Sequence, residues 1–278
     1  MVPSSASETG RASRAFLWIA VVAMVLAAGL SLAWYVMANR LDAAVKTAIE
    51  TAGGQGVRLD CRNQAVFGYP FRLGLRCDAL QIEASESNFA ARGGELRTAA
   101  QIYRPTRIVA ELDGPFALSA EGTPPFRIDW TLAQASADFW TEGLDRLSVV
   151  LDEPGIAAGP VGAIQPLARS ERIEFHARRR DQALDIAFLD RAIKAADPAL
   201  AALPAFDISG DLTIEDAADW LSGERSGETL GQALAGKSGA VRSLRIALSS
   251  ARDGTGTSLP GSGEISGLFS VAEGGRLS

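Results

Sequence analysis

From Ala15 to Ala38 the chain reads AFLWIAVVAMVLAAGLSLAWYVMA, 24 residues without a charge. As a helix this run is about 36 Å long at about 1.5 Å per residue, enough to cross a hydrocarbon layer of roughly 30 Å with some tilt. Trp18 near one end, with Trp34 and Tyr35 near the other, matches the preference of amphipathic rings for the two headgroup levels. Residues 15–38 therefore read as a transmembrane helix. Arg11 and Arg14 precede the span and no comparable basic cluster follows it, so residues 1–14 are expected in the cytoplasm and the body outside. The rival reading is a signal peptide cleaved after Ala38, at Val36-Met37-Ala38. The length of the run argues against it, because cleaved peptides carry apolar cores of about 7 to 15 residues.

Beyond the span, Leu41, Ala44, Val45, Ala48, Ile49 and Ala52 recur at helical spacing with Asp42, Lys46 and Glu50 between them. This predicts an amphipathic juxtamembrane helix over 39–55 that ends at Gly53-Gly54, with its stripe packed on its own domain or, alternatively, laid on lipid or a partner.

The period then changes to two. Ile108, Ala110 and Leu112; Phe126, Ile128, Trp130 and Leu132; Leu147, Val149 and Leu151; Ile173, Phe175 and Ala177; Leu184, Ile186 and Phe188; and Leu244, Ile246 and Leu248 each alternate with polar positions. That is the signature of strands with one face buried. Asp113-Gly114-Pro115, Gly122-Thr123-Pro124-Pro125, Asp152-Glu153-Pro154-Gly155 and Arg180-Asp181 supply turn chemistry between successive antiparallel strands. The expected fold is mainly β: an N-terminal transmembrane helix, then an antiparallel meander over 56–278, shaped as an open groove or a sandwich. Short helices are predicted at 190–202, 215–222 and 227–236, and no long helices alternate with the strands as a doubly wound nucleotide fold would need. Glu273 to Leu277 read as a turn opening a further strand, so the chain is expected to fray or to be truncated there.

Charge narrows the function. After residue 40 the chain holds 24 Lys and Arg against 32 Asp and Glu, a balance of -8. Nucleic-acid affinity comes from neutralising phosphates, so an acidic body argues against that partner. It also argues against polybasic docking on anionic lipid.

Two cysteines stand in VRLDCRNQAVFGYPFRLGLRCDALQI, residues 57–82. Leu59 and Cys61 share one strand face, and Leu73, Leu75 and Cys77 share another, so both sulfurs point to the apolar side of one hairpin. A disulfide closing this loop of about 17 residues contributes about 3 kcal/mol in the loop-entropy model and fits an exported, oxidising location. Direct opposition of Cys61 and Cys77 would set Asp60 against Asp78 and Arg62 against Arg76. A two-residue offset that pairs Asp60 with Arg76, or Arg62 with Asp78, is therefore preferred.

The same stretch resembles a known family. Gly68-Tyr69-Pro70-Phe71-Arg72-Leu73 followed by Leu75, Cys77 and Asp78, then Tyr103-Arg104-Pro105, Gly114-Pro115-Phe116 and Asp129-Trp130, are similar to the bacterial envelope proteins known as domain of unknown function 2125. The resemblance spans most of the chain. It implies a membrane-attached exported protein and supplies no catalytic residue.

Candidate chemistry is sparse. His176, the one histidine, alternates onto a polar face beside Glu174 and Arg178, which reads as a solvated strand residue rather than a base. No G-x-S-x-G or H-E-x-x-H pattern occurs, and two thiols without a nearby histidine fall short of a zinc site. Arg178-Arg179-Arg180-Asp181 reads as a solvated turn and Gly261-Ser262-Gly263 as a linker. Glu215-Asp216 and Asp152-Glu153 are explained by helix-start and turn roles. Tyr69, Pro70, Phe71 and Arg72 form the one turn motif credited with binding potential, since Tyr-Pro bonds can adopt cis in tight turns and two rings there could reach a lipid or partner, although aromatics that pack the bend are the plainer and preferred reading. No catalytic residue, metal or cofactor is assigned. The reading is a non-enzymatic protein of the bacterial inner membrane, held by residues 15–38 with a periplasmic domain, whose sheet offers an apolar surface to a lipid or an envelope protein. A closed scaffold and, remotely, a hydrolase with dispersed carboxylates are the alternatives.

Overall fold

The computed structural model describes residues 9–54, 56–84, 88–141, 143–160, 162–200, 202–221, 233–248 and 261–272. One helix, α1 (Thr9–Gly54), runs unbroken through the apolar and the amphipathic segments. The two predicted pieces are thus one rod, ending at Gly54 as the double glycine suggested. Its most apolar window has a mean hydropathy of 2.4 and none of it is buried, which by length and composition makes it a candidate membrane span.

Among the described residues after α1, eighteen strands form a single antiparallel sheet, and most of them join in pairs as long strands broken once by a bend. The bent strands are β1–β2 (Val57–Arg62, Ala65–Phe67), β3–β4 (Arg72–Cys77, Ala79–Ala84), β5–β6 (Phe89–Gly93, Leu96–Gln101) and β7–β8 (Arg104–Leu112, Phe116–Ser119). They continue as β9–β10 (Phe126–Asp129, Leu132–Trp140), β11–β12 (Gly143–Asp152, Gly155–Ala158) and β13–β14 (Gln165–Arg169, Arg172–Arg180). The straighter β15 (Ala183–Ala195), β16 (Phe206–Ile214), β17 (Ser238–Leu248) and β18 (Ser262–Ser270) complete the sheet. The bends align into a crease across the strands. One wall consists of β1, β4, β5, β8, β9, β12 and β13, the other of β2, β3, β6, β7, β10, β11 and β14 to β18.

The crease has local causes. Asn63, Glu153 and Ala192 adopt φ of 52°, 51° and 55°, a left-handed step that ends ladder pairing and turns the strand. Backbone bonds nevertheless carry across it: Asp78 N–H to Arg62 O at 2.8 Å, Gly94 N–H to Asp113 O at 3.0 Å, and Glu153 N–H to Glu171 O at 2.8 Å. Trp130 donates its indole N–H to Leu112 O at 2.8 Å and stacks on Phe116 with centroids 6.5 Å apart.

Three sequence expectations are corrected here. The helix expected at 190–202 is strand as far as Ala195 followed by a 3-10 turn at Pro198–Leu200, because Asp190 and Ile193 pair with β16 and Lys194 and Ala195 with β13. In 215–222 only Ala218–Leu221 is helical, as 3-10 turn, and most of 227–236 lies outside the described residues, as do the last residues from 273. Ser262 and Gly263, read as linker, open β18 by pairing with Ala247 and Ile246.

Candidate functional site

The ladder registers place the apolar residues of both walls in unbroken rows. On the wall carrying β3, the row runs from Cys77 to Leu96, then Leu112. Along the next strands it runs Ile108, Ala137, Leu147, Ala177, Ile186, Leu212 and Val241. On the other wall Cys61, Leu80 and Gly93 align, as do Leu118, Phe126 and Ala158. The crease turns these two apolar faces toward each other: a Cβ on Gly93 would lie 3.2 Å from the Leu112 side chain of the opposite wall. The result is a trough with an apolar inner face.

The described residues do not close this inner face. Leu73, Leu75, Leu96, Leu112, Val149, Ile173, Phe175, Phe188 and Leu244 stay half-buried, and Ile246 is 52% exposed. A tightly packed cluster lies at one end, where Ala217, Trp220, Leu221 and Leu234 of the β16–β17 connection cover Ala177, Leu184 and Ile214, and Cys77, Ala91 and Pro154 are buried elsewhere along the crease. The sheet is therefore open along most of its width. A carboxylate intrudes: Asp190, paired with Ile173 on the inner face, has a buried carboxylate oxygen with no hydrogen-bond partner, and burial raises its pKa above the usual carboxylate value.

The outer face carries the charges, and most neutralise one another. Arg97 meets Asp113 at 2.8 Å, Glu95 at 3.2 Å and Glu111 at 3.6 Å. Arg172 joins Glu174 and Asp152 at 2.5 and 2.6 Å, which holds Glu174 below its usual value. Asp185 gathers Arg178, Arg180 and Arg242, while Arg242 also pairs with Asp211. The arginines read as a solvated turn are therefore largely structural, with Arg179 laid on the Trp140 ring at 4.1 Å. His176 is exposed on this face, 3.5 Å from Glu174. Glu215 and Asp216 lie in a turn. Among the described residues no three His, Cys, Asp or Glu side chains converge as a metal site requires. The carboxylates gathered here are held by arginine.

Cys61 and Cys77 stand at disulfide distance, Cα to Cα 5.1 Å, across the crease and from opposite walls. The register between them differs from the expected offset. Cys61 faces Leu80, Asp60 faces Gln81 and Arg62 faces Ala79, because the bend at Asn63 inserts between the cysteines. Asp78 is satisfied by the Asn63 amide at 2.7 Å instead of by an arginine. Like charges are still kept apart, as the sequence required.

Tyr69, Pro70, Phe71 and Arg72 form the β2–β3 turn, which docks on α1. The Tyr69–Pro70 bond is cis. Ser31 Oγ and the Tyr69 hydroxyl share a hydrogen bond of 2.7 Å, Trp34 Nε1 donates to Arg72 O at 2.7 Å, and the Trp34 and Tyr69 rings meet edge to face at 5.5 Å. Lengths explain the match: about 30 Å of helix from Trp34 to Gly54 is retraced by about 33 Å of strand from Val57 to Phe67. The wall carrying β3 thus has its hairpin turns level with the end of the apolar span. Tyr103 is exposed at the next turn on that side, and Phe139 and Trp140 at the end of β10; sequence reading did not single out Phe139 or Trp140.

Residues 34–278 match a bacterial family described as an uncharacterised protein conserved in bacteria, domain of unknown function 2125. No curated protein and no solved structure matches. With a helix suited to a membrane, a creased open sheet, and a family match over most of its length, the chain belongs to the DUF2125 family.

Proposed function

We propose that this chain is a non-enzymatic, membrane-anchored envelope protein whose trough receives the acyl chain of a lipid. The observation that carries the reading is the continuity of the inner face. Its large apolar side chains form rows across both walls, yet stay half-buried along most of the sheet. Monomeric proteins rarely expose a contiguous apolar face on this scale without an occupant. An acyl chain is the occupant favoured because α1, an anchor in this reading, packs along the edge strands of the same sheet through Trp34, Ser31 and Asp42. These contacts support a reading in which the trough stands close to the bilayer. With the N-terminus in the cytoplasm, the sheet stands in the periplasm of the inner membrane.

The test is photo-crosslinking of the full chain in nanodiscs that contain a phospholipid with a diazirine in its acyl chain. Adducts are expected on inner-face peptides around Leu96, Phe175 and Ile246, and Ala135→Arg, which sets a charge in mid-trough, should reduce them severalfold. Adducts confined to α1, or spread evenly over outer-face peptides, would overturn the reading.

A further inference from the structure

On the outer face, where β2 and β3 lie beside β6 and β7, there is a cavity of about 580 Å³ lined by Phe67, Arg72, Arg97, Arg104, Arg107 and Glu111 among others. Such a volume suits a small-molecule group. Its charge is unbalanced. Arg97 is held by Asp113, Glu95 and Glu111 at 2.8, 3.2 and 3.6 Å, of which only Glu111 lines the cavity. Asp138, across the ladder from Arg107, approaches only Arg104, at 4.0 Å. Arg72 and Arg107 have no acidic partner among the described residues. On an acidic chain, this is a place where cationic capacity is left over.

Its position says what that capacity faces. The backbone of Arg72 is bonded to Trp34, four residues before the apolar run ends at Ala38, or about 6 Å along the helix axis. Arg72 pairs with Gln101, and Gln101 with Arg104, so both arginines lie at that level. The adjoining turns expose Phe71 (61%) and Tyr103 (76%), rings of the kind that settle at a headgroup interface. The connections at the opposite ends of these strands, 85–88, 120–125 and 159–164, carry no aromatic residue. Aromatic tips and spare guanidinium groups therefore coincide at the end where the helix is apolar.

We propose that this cavity is a headgroup site for an anionic phospholipid of the surrounding leaflet. Arg72, Arg104 and Arg107 hold the phosphate through charge-assisted hydrogen bonds, while Phe71 and Tyr103 seat the turns in the interface. The site rests on the anchor reading above but not on the trough, since it lies on the other face of the sheet.

The full chain in detergent is titrated with dihexanoyl-phosphatidylglycerol, dihexanoyl-phosphatidylcholine and inorganic phosphate, with binding followed by native mass spectrometry and calorimetry. One saturable phosphatidylglycerol per chain is expected, weakened at least tenfold in R72Q/R107Q, partly retained in R72K/R107K, and unchanged in R58Q/R92Q, which removes the same charge from the other wall. The melting temperature of R72Q/R107Q should match that of the unsubstituted chain, since neither side chain carries an ion pair. Wild-type affinity in R72Q/R107Q, an equal loss in R58Q/R92Q, or no saturable binding would overturn the site. Inorganic phosphate binding as tightly as phosphatidylglycerol would overturn its assignment to lipid. Loss of acyl adducts on the inner face with this pattern intact removes the trough reading alone, and the converse result removes the headgroup site alone.

Discussion

Replacing Asp185 by asparagine tests whether the charge cluster on the outer face holds the sheet together or merely decorates it. Asp185 and Thr213 are the buried polar residues of the described chain, 7% and 3% exposed. Burial pushes the Asp185 pKa up, but the Thr213 hydroxyl at 2.7 Å and the guanidinium groups of Arg178 and Arg180 at 3.0 and 3.2 Å outweigh it and hold the pKa at about 2, down from 3.8. At 1.36 kcal/mol per unit, a fall of this size corresponds to roughly 2.5 kcal/mol of preference for the charged form. The three arginines are 45 to 52% exposed, and solvent screening brings the expected contribution nearer ~2 kcal/mol. A neutral amide in place of the carboxylate would leave three cations facing one another across β14 and β17. For a chain of this size ~2 kcal/mol corresponds to a melting-temperature drop of roughly 4 to 8 °C. Because the folded pKa lies below the unfolded one, the stabilisation is present above pH ~3.8 and is lost as the pH falls toward about 2. Thermal melts of the full chain in detergent, followed by far-UV circular dichroism at pH 7, 5 and 3, should show D185N destabilised at pH 7 and the gap reduced by about half at pH 3. A loss below ~0.5 kcal/mol at pH 7, or a gap that does not shrink, would refute the reasoning.

Two further outcomes are expected. The Cys61 and Cys77 thiols should be unreactive toward a thiol probe in the non-reduced chain, and reduction should lower its stability by about 3 kcal/mol; two free thiols before reduction would show that the bond does not form. Asp190→Asn should stabilise the chain by ~1 kcal/mol at pH 7, because a carboxylate whose pKa is raised by burial costs stability above its ordinary value, and the gain should vanish below pH ~4. A neutral or destabilising D190N at pH 7 would mean that the unpartnered oxygen is satisfied in solution.

What could be read from the sequence was whatever has a local period. The apolar alternation of Leu147, Val149 and Leu151 or of Ile173, Phe175 and Ala177 specified the inner face, and the structure keeps each of these rows intact. The crease was not legible, because it depends on which backbone step turns left-handed. Asn63 is a favourable residue for that step and Glu153 and Ala192 are not, so their bends come from alignment with neighbouring strands rather than from local preference. The Cys61 register failed for the same reason, since one bend between the two cysteines shifts every pair beyond it. The helix expected at 190–202 failed because β15 has partners on both edges, and pairing outweighs the weak helical preference of an Ala-rich stretch. One signal was present and unused: in a meander alternate turns lie at the same end, and Tyr69 and Tyr103 fall in alternate turns while Trp140 ends the strand that leads into the next turn at that end.

A trough of this kind has an energetic property that decides how it must be assayed. Burying an acyl chain from water gains about 0.8 kcal/mol per methylene, but a chain entering from the bilayer leaves one apolar medium for another, and that gain cancels. Exchange between membrane and trough is then close to neutral and readily reversible, whereas extraction into water is not. Affinity measured against monomeric fatty acid in buffer would report the hydrophobic effect common to any apolar surface. Occupancy of the inner face while the full chain remains in a bilayer, compared between the unsubstituted protein and Ala135→Arg, isolates what the trough itself contributes. An apolar sheet that only packs against a protein partner would leave that occupancy unchanged.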